Sequence, residues 1–196
     1  ESRAGWKGTG TVGNPYRLHF SGSYDFVRPT ALMARTYSVW FATDDSDSST
    51  GYIFRKYLNA SEETHAYTTG GAIYVRYKNS STYSAGVAEG KWYHLTMSCD
   101  GTTVRFYLNG VEFASEAEPA ETAVGSTYSG ASGPSNDFFD GSIAEFRAYS
   151  VALTANEILT IYGESRPRYW TDPTEPQTER VVPNIGNVAG SETVML

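Results

Sequence analysis

Residues 90–110 read GKWYHLTMSCDGTTVRFYLNG, and this stretch decides the fold class. Two runs in it alternate between apolar and polar side chains, with the two-residue period of a half-buried β-strand. Asp100-Gly101 separates the two runs, and Asn109-Gly110 follows the second. Both dipeptides favour the positive φ angles of tight hairpin turns. The stretch therefore predicts consecutive antiparallel strands, a β-meander.

Segments on both sides of the meander continue its pattern. They are short alternating runs separated by turns rich in Gly, Ser, Asn and Asp. Such closely spaced strands are typical of an all-β sandwich. With 196 residues, the chain is long enough for one such domain with its own core. The further predicted strands are 16–20, 24–27, 37–42, 51–55, 72–77, 111–114, a short one around Thr127-Tyr128, and 138–149.

Three blocks, in this order, resemble laminin G-like domains of the concanavalin A-like lectin/glucanase superfamily. The first is residues 18–27, where Ser21 and Ser23 stand at positions that the family often fills with acids. The second is the central hairpin, with Trp92, His94, Asp100-Gly101, Tyr107 and Asn109-Gly110. The third is the strand 138–149 with its Arg-x-Tyr ending, followed by a short helix. The resemblance covers residues 14–163 and implies an antiparallel β-sandwich of the jelly-roll kind.

The end of the chain is expected to form a short helix and then an extended arm. Thr154-Ala-Asn-Glu157 has the capping-box pattern that begins a helix, and Gly163 is a residue type that ends one. Four prolines follow Gly163, and they exclude regular helix and inner strand there. The predicted division is a lead-in segment at 1–13, the sandwich at 14–163 and an extended Pro-rich arm at 164–196.

An extended arm must gain contacts that offset the entropy of ordering its backbone, about 1 to 2 kcal/mol per residue. Its aromatic and aliphatic side chains are the candidates for those contacts. They pack either on this domain or on a neighbouring subunit, and the second case would make the arm an assembly device. The candidate anchors are Tyr169, Trp170, Val181, Val182, Ile185 and Val194.

The charge balance disfavours a nucleic-acid partner. The chain has 22 acidic and 15 basic residues, a formal net charge of −7, and no run of basic residues. No stretch approaches the roughly 18 consecutive apolar residues of a membrane-spanning helix. The one cysteine, Cys99, has no internal disulfide partner and falls in a predicted strand, where a buried inert thiol is expected.

The chain lacks the carboxylate pattern of glycoside hydrolysis. Retaining enzymes need two carboxyl groups roughly 5 to 5.5 Å apart, and on this sandwich fold a Glu-x-Asp-x-Glu strand, absent here, supplies them. The nearest candidate is Glu145 with Arg147, for which we predict an ion pair on the sheet face instead. His19, His65 and His94 are far apart in sequence, without the spacing of a metal or catalytic motif. The resemblance, in which His often fills the strand position of His94, implies a structural hydrogen bond for that residue. We therefore expect no catalytic residues.

The resemblance also implies a structural Ca²⁺, held by carboxylates and backbone carbonyls of the first and last strands. Asp25 and Asp140 or Glu145 are the residues that could contribute. A second group of acids lies at 44–47, but it lacks the Gly and the distant Glu of an EF-hand loop, which favours solvated acids there. Ca²⁺ is the only cofactor that the sequence suggests.

One face of the predicted sandwich combines tyrosines with charged residues. Sugars bind where aromatic rings stack on them and a few fixed polar groups surround them. Strand alternation places these side chains opposite an apolar set that is expected to form the core. They line an exposed sheet face that either binds a glycan or is a solvated ladder of Tyr and Arg. The predicted ligand-binding residues are Arg105, Tyr107, Glu145, Arg147 and Tyr149.

The main hypothesis is a non-catalytic recognition module, glycan-binding or adhesive, located outside the cell, on a cell surface or in a virion. Its ligand would be a glycan or a cell-surface polysaccharide. Because the chain starts at Glu1 without a methionine, we expect it to be a piece of a larger bacterial surface protein or phage virion protein. The alternative is a structural or decoration protein of a virion or surface assembly, locked in by the arm at 164–196. A glycoside-active enzyme without the usual motif is the third hypothesis.

Overall fold

A computed structural model describes residues 5–29, 34–44, 50–57, 63–78, 80–118, 126–133, 136–169 and 191–192 of the chain. These ranges form two β-sheets and one helix, which confirms the predicted all-β sandwich. In chain order the elements are β1 (Gly5–Lys7), β2 (Arg17–Ser21), β3 (Thr36–Thr43), β4 (Gly51–Tyr57), β5 (Glu63–Thr69), β6 (Ala72–Arg76), β7 (Tyr83–Gly86), β8 (Tyr93–Cys99), β9 (Thr103–Leu108), β10 (Val111–Ala117), β11 (Ser126–Ser129), β12 (Asp140–Tyr149), α1 (Ala155–Tyr169) and β13 (Ser191–Glu192).

The two sheets are antiparallel and differ in size. The larger has the strand order β1-β2-β12-β3-β8-β9-β10, and β13 also pairs with β12. The smaller has the order β11-β4-β5-β6-β7. Strand β12 lies between β2 and β3, two strands from the first part of the chain. The larger sheet is therefore complete only when strands that are far apart in sequence pair with each other.

Strands β8 and β9 form the hairpin predicted from residues 90–110. At its turn, Asp100 Oδ1 accepts hydrogen bonds from the backbone N–H groups of Thr102 (2.9 Å) and Thr103 (2.8 Å). Between β9 and β10, Asn109 and Gly110 have φ angles of 53° and 77°. Two successive positive φ angles are what a type I′ hairpin turn requires. Both predicted turns are confirmed.

The core lies between the two sheets, and alternate residues of each strand face it. On β8 and β9 these are Met97, Cys99, Val104 and Phe106, which have no exposed surface. Burial raises the pKa of the Cys99 thiol to about 11, so it stays protonated and unreactive at neutral pH. The predicted buried, inert thiol is confirmed. The phenylalanines buried in this core are Phe20, Phe41, Phe54, Phe106, Phe139 and Phe146.

The predicted strand at 24–27 does not form. Tyr24 has a φ of 60°, and the Asp25 Oδ2 accepts hydrogen bonds from the backbone N–H (3.0 Å) and the hydroxyl of Ser21. These bonds turn the chain away from β2. Only Val27 pairs in this segment, through an isolated antiparallel bridge to Ser129.

Helix α1 begins where the sequence predicts and ends later. Its capping box is present, since Thr154 Oγ1 accepts the Glu157 N–H (3.3 Å) and Glu157 Oε2 accepts the Thr154 N–H (2.7 Å). The predicted end at Gly163 is wrong, because the helix continues to Tyr169 with Pro167 inside it. Gly and Pro are unfavourable within a helix, so contacts with the larger sheet must stabilise the last two turns. No helix in the described ranges is long and apolar enough to cross a membrane.

Trp40 on β3 is the centre of the contact between α1 and the larger sheet. Its indole lies against the ring of Tyr169, with centroids 4.3 Å apart, and against that of Tyr162 at 5.7 Å. Its Nε1–H donates a hydrogen bond to Ser165 Oγ at 3.0 Å. Because Trp40 alternates with the core residues Val39 and Phe41, it lies on the outer face of the sheet. Helix α1 therefore covers part of that outer face.

The described part of the predicted arm packs on the chain's own sandwich. Residues 164–169 belong to α1 rather than to an extended segment, and the candidate anchor Tyr169 contacts Trp40. Strand β13 pairs with β12 at Ala148 and Tyr149. The other candidate anchors, Trp170, Val181, Val182, Ile185 and Val194, lie outside the described residues.

Replacing Trp40 by Ala should lower the free energy of unfolding by about 3 to 5 kcal/mol, the usual effect of truncating a buried Trp. The substitution leaves a cavity under α1 and removes the hydrogen bond to Ser165. Denaturant unfolding measures the change. Trp6→Ala is the matched control, because Trp6 on β1 is 65% exposed and its loss should change stability by no more than about 0.5 kcal/mol. Equal losses for both variants would contradict the role given to Trp40.

Candidate functional site

The predicted ligand-binding face is the outer face of the larger sheet, and α1 covers the part with the tyrosines. Tyr107 on β9 and Tyr149 on β12 are only 2% and 5% exposed. They form a buried cluster with Leu153 and with Ile158 of α1. The predicted exposure of these two tyrosines is therefore wrong. Strand alternation correctly places them opposite the core, but it carries no information about a helix that returns over that face.

The three charged residues predicted for the same site have structural partners. Arg105 forms an ion pair with the carboxylate of the first hairpin turn (N–O distance 2.6 Å). Glu145 accepts hydrogen bonds from Arg147 (2.6 Å), and from Arg168 and Tyr169 at the end of α1. The predicted ion pair on the sheet face is confirmed. The Glu145 carboxylate holds α1 in place, and the five predicted ligand-binding residues do not meet on an open surface.

A second group of tyrosines lies on the smaller sheet, on the three adjacent strands β4, β5 and β6. Tyr67 stacks on Tyr74 with centroids 5.1 Å apart and planes 8° from parallel, and Tyr52 lies 5.1 Å from Tyr67 on the other side. Both faces of the central ring therefore have an aromatic neighbour. Such directly opposed cross-strand pairs stabilise a sheet, so these contacts give the row a structural role.

The part of the larger sheet that α1 leaves uncovered forms a cleft of about 360 Å³. Residues of β1, β2, β12 and β3 line it, together with the β1–β2 connection and residues 90–92. The Gly13 N–H donates to the carbonyl of Arg168 at 3.1 Å, which ties the β1–β2 connection to the end of α1. The lining residues are Lys7, Gly13, Asn14, Pro15, Arg17, His19, Ala42, Asp44, Gly90, Trp92 and Ser142.

Trp92 supplies the aromatic surface of the cleft. It precedes β8 and is partly buried. Its ring packs against Tyr169, the last residue of α1, with centroids 4.9 Å apart. Tyr169 also stacks on Trp40, so the same residue anchors the helix and supports Trp92. The indole is therefore held in place before any ligand arrives.

The polar groups of the cleft come mainly from β1 and β2. Lys7 and Arg17 are directly opposite each other in the β1–β2 register. Arg17 Nη1 donates to Asn14 Oδ1 at 2.9 Å and to the Pro15 carbonyl at 3.3 Å. His19, two residues further along β2, has its Nδ1 3.7 Å from Asp44 Oδ2. The cleft thus combines two cations, one carboxylate, an amide and an imidazole.

The sequence alone does not indicate this site. Trp92 stands out only as part of the resemblance, and His19 is one of three histidines far apart in the chain. The alternation in residues 17–21 does place Arg17 and His19 on one face of a strand. Nothing local, however, indicates that Lys7 and Trp92 lie on the same cleft, because β1, β2 and the start of β8 meet only in the assembled sheet.

His94 has the structural role predicted for it. Its Nε2 lies 2.8 Å from the hydroxyl of Ser38 on the neighbouring strand β3, and its ring packs against Trp40 with centroids 5.0 Å apart. Burial, with a smaller effect from the positive charge of Arg147, lowers the pKa of His94 to about 3. The imidazole is therefore neutral at physiological pH.

The three predicted calcium ligands do not converge. Asp25 and Asp140 both lie beside the turn that follows β2, where Asp140 pairs with Ser21 and its side chain lies against Gly22. Glu145 is five residues further along β12, roughly 16 Å away at about 3.3 Å per residue. Within the described ranges, no three His, Cys, Asp or Glu side chains are grouped as metal ligands. Of the acids at 44–47, only Asp44 lies among the described residues.

Calcium binding by Asp25 and Asp140 stays a prediction. These two carboxylates are fewer than the ligand set that Ca²⁺ requires, so backbone carbonyls or water would have to complete it. A melting temperature that does not change with EDTA or with added CaCl₂ would eliminate such an ion.

The chain matches one protein family over most of its length. The profile described as the concanavalin A-like lectin/glucanases superfamily, of laminin G type, matches residues 20–159. Usherin of Homo sapiens is 36% identical in an alignment of 81 residues that covers 37% of this chain. The alignment covers 2% of the length of usherin, so the chain corresponds to a small part of that protein.

Solved structures share the fold at low sequence identity. Domain 4 of AbnA, a GH43 extracellular arabinanase from Geobacillus stearothermophilus, was solved in complex with arabinotriose. It has a TM-score of 0.65 and 19% identity, covering 83% of this chain and 82% of that one. The CBM40 of the Ruminococcus gnavus IT-sialidase, bound to α2,3-sialyllactose, has a TM-score of 0.55 and 17% identity, covering 67% and 84%. At these identities the likeness shows the fold.

The buried neutral His94 predicts a dependence of stability on pH. Its pKa is about 3 in the folded chain and about 6.5 when unfolded. Between these values the unfolded chain binds a proton that the folded chain does not. Stability should therefore be fully present above pH 6.5 and fall as the pH decreases, by about 1 to 2 kcal/mol between pH 7 and pH 5.

Denaturant unfolding at these two pH values measures the effect. His94→Gln should be less stable at both, yet should lose less stability between them than the parent. If the variant keeps the full pH dependence, the interpretation of His94 is wrong.

Proposed function

Because the chain belongs to the laminin G-like family of the concanavalin A-like lectin/glucanases superfamily, we propose that it is a non-catalytic carbohydrate-binding module. The proposed site is the cleft beside Trp92. One observation carries this proposal: an aromatic ring and several polar side chains line a single concave cleft with a volume of about 360 Å³. Small-ligand sites in proteins are concave and fall in this size range, about 300 to 1,000 Å³.

The proposed mode of binding follows from the chemistry of a sugar ring. One face of a pyranose or furanose carries mostly C–H groups, which pack on an indole such as that of Trp92. Its hydroxyls and any charged substituent then point towards donors and acceptors around the ring. Asn14, Arg17 and Asp44 line the same cleft and provide both kinds of group.

The cleft is pre-organised for such a ligand. Tyr169 supports Trp92, and the hydrogen bond from Gly13 to Arg168 fixes the β1–β2 connection against α1. Side chains that are already ordered lose little entropy on binding, which favours affinity. The arabinotriose bound by the arabinanase domain and the sialyllactose bound by the sialidase module are consistent with a saccharide ligand on this fold.

The proposal includes a location outside the cell, within a larger surface protein of a bacterium or a virion protein of a phage. The structural alternative rested on the arm at 164–196, but its described residues pack on the chain's own sheet. The enzymatic alternative depended on Glu145, whose carboxylate is bound by Arg147, Arg168 and Tyr169. No specific observation favours either alternative over carbohydrate binding.

Replacing Trp92 by Ala should weaken glycan binding at least about tenfold, a loss of roughly 1.4 kcal/mol. A glycan array identifies a ligand of the parent protein, and isothermal titration calorimetry then compares the dissociation constants. Trp6→Ala is the control, since it removes an exposed Trp of the same sheet that does not line the cleft. Because Trp92 also packs on Tyr169, the melting temperature of each variant is measured first and titrations are run well below it. A parent protein that binds no neutral or acidic glycan on the array would reject the proposed function.

A further inference from the structure

We propose that the cleft selects glycans that carry an anionic group, a carboxylate or a sulfate ester, and that Lys7 and Arg17 bind this group. The inference rests on the proposed function and names the chemical class of its ligand. These two cations lack the carboxylate partners that many other basic side chains in the described ranges have.

Seven other basic side chains in the described ranges have a carboxylate partner. Glu63 pairs with Arg55 and Arg76, Glu118 with Lys78 and Arg35, Asp100 with Arg105, and Glu145 with Arg147 and Arg168. Among the described residues, neither Lys7 nor Arg17 has a carboxylate within ion-pairing distance. This is unexpected in a chain with a net charge of −7, where acids outnumber bases.

The two cations are also placed directly against each other. Lys7 and Arg17 are register partners on β1 and β2, and like charges directly opposite in an antiparallel pair destabilise the sheet. A bound anion between them would remove this repulsion. The free protein therefore holds a pair of positive charges that favours an anionic ligand.

Hydrogen bonds to described residues orient the Arg17 guanidinium but involve only one of its three nitrogens. Its Nη1 is bound by Asn14 and by the Pro15 carbonyl. Its Nε and Nη2 donate no hydrogen bond to a described residue, so a guanidinium edge is left for a ligand. Guanidinium groups bind carboxylates and other planar or tetrahedral oxyanions through two parallel hydrogen bonds.

The neighbouring groups indicate how the ligand is oriented. His19 is buried, and its Nε2 has no hydrogen-bond partner among the described residues, which leaves a polar atom for a ligand to satisfy. Asp44, whose side chain is about half exposed, lies on the far side of His19. A carboxylate at Asp44 repels an anion and accepts hydrogen bonds from hydroxyls. The anionic group therefore lies at the Lys7–Arg17 end and the sugar hydroxyls lie at the Asp44 end.

The test compares matched acidic and neutral oligosaccharides. Calorimetric titrations at 50 and 300 mM NaCl use 3′-sialyllactose and a sulfated lactose, each against lactose, and digalacturonate against digalactose. The parent protein should bind at least one acidic member about tenfold more tightly than its neutral partner at 50 mM, and the difference should shrink at 300 mM because salt screens it. The carboxylated and sulfated probes show which anion is preferred.

Arg17→Gln and Lys7→Gln should each reduce the preference for the acidic member to less than about threefold, because each weakens binding of the acidic member more than binding of its neutral partner. Lys91→Gln is the control, because it removes the same charge from an exposed residue next to the cleft that does not line it. Equal binding of acidic and neutral members, weakened alike by Trp92→Ala, would overturn this inference and leave the proposed function intact. An acidic preference that survives both substitutions would also overturn it. Absence of all glycan binding would reject both proposals.

Discussion

The packing of helix α1 on Trp40 is the contact on which the outer face of the larger sheet depends. That face carries Trp40, Tyr107 and Tyr149, large aromatic side chains that would be exposed without the helix. The helix in turn contains Gly163 and Pro167, which lower its intrinsic stability. Most helical stability in proteins comes from packing rather than propensity. Sheet and helix therefore stabilise each other, and the hydrogen bond from Trp40 to Ser165 sets how they align.

The same contact builds the cleft. The last turn of α1 brings Tyr169 against Trp92, and the carbonyl of Arg168 accepts the hydrogen bond that fixes the β1–β2 connection. Glu145 joins the end of α1 to β12 through Arg168 and Tyr169. It lies at a bulge of β12 with a φ of 48°, a conformation that is rare for a residue with a side chain. The helix thus covers one part of the sheet and organises the part that it leaves open.

The distribution of charge separates the cleft from the remaining surface. Elsewhere in the described structure many cations lie beside an acid, as in the pair of Lys78 with Glu118, where N and O are 2.7 Å apart. The opposite charges of such a pair largely cancel, so the pair exerts only a weak electrostatic field on a ligand. At the cleft the positive groups of β1 and β2 lack this compensation, and the one described carboxylate, Asp44, is near His19 instead. A polar ligand therefore meets a directional field there, positive at one end and negative at the other.

Short-range signals in the sequence were sufficient for the fold class and for much of its detail. The turns at Asp100-Gly101 and Asn109-Gly110, the capping box of Thr154 and Glu157, and the buried register of Cys99 each depend on residues a few positions apart. The alternation does not predict strand β5, because its inward-facing Thr64 and Thr68 are polar. The later end of α1, the burial of the two tyrosines and the cleft all depend on contacts such as that of Trp40 with Ser165, 125 residues apart. Only the tertiary structure decides such contacts, because local pattern determines which way a side chain faces but not what comes to lie over it.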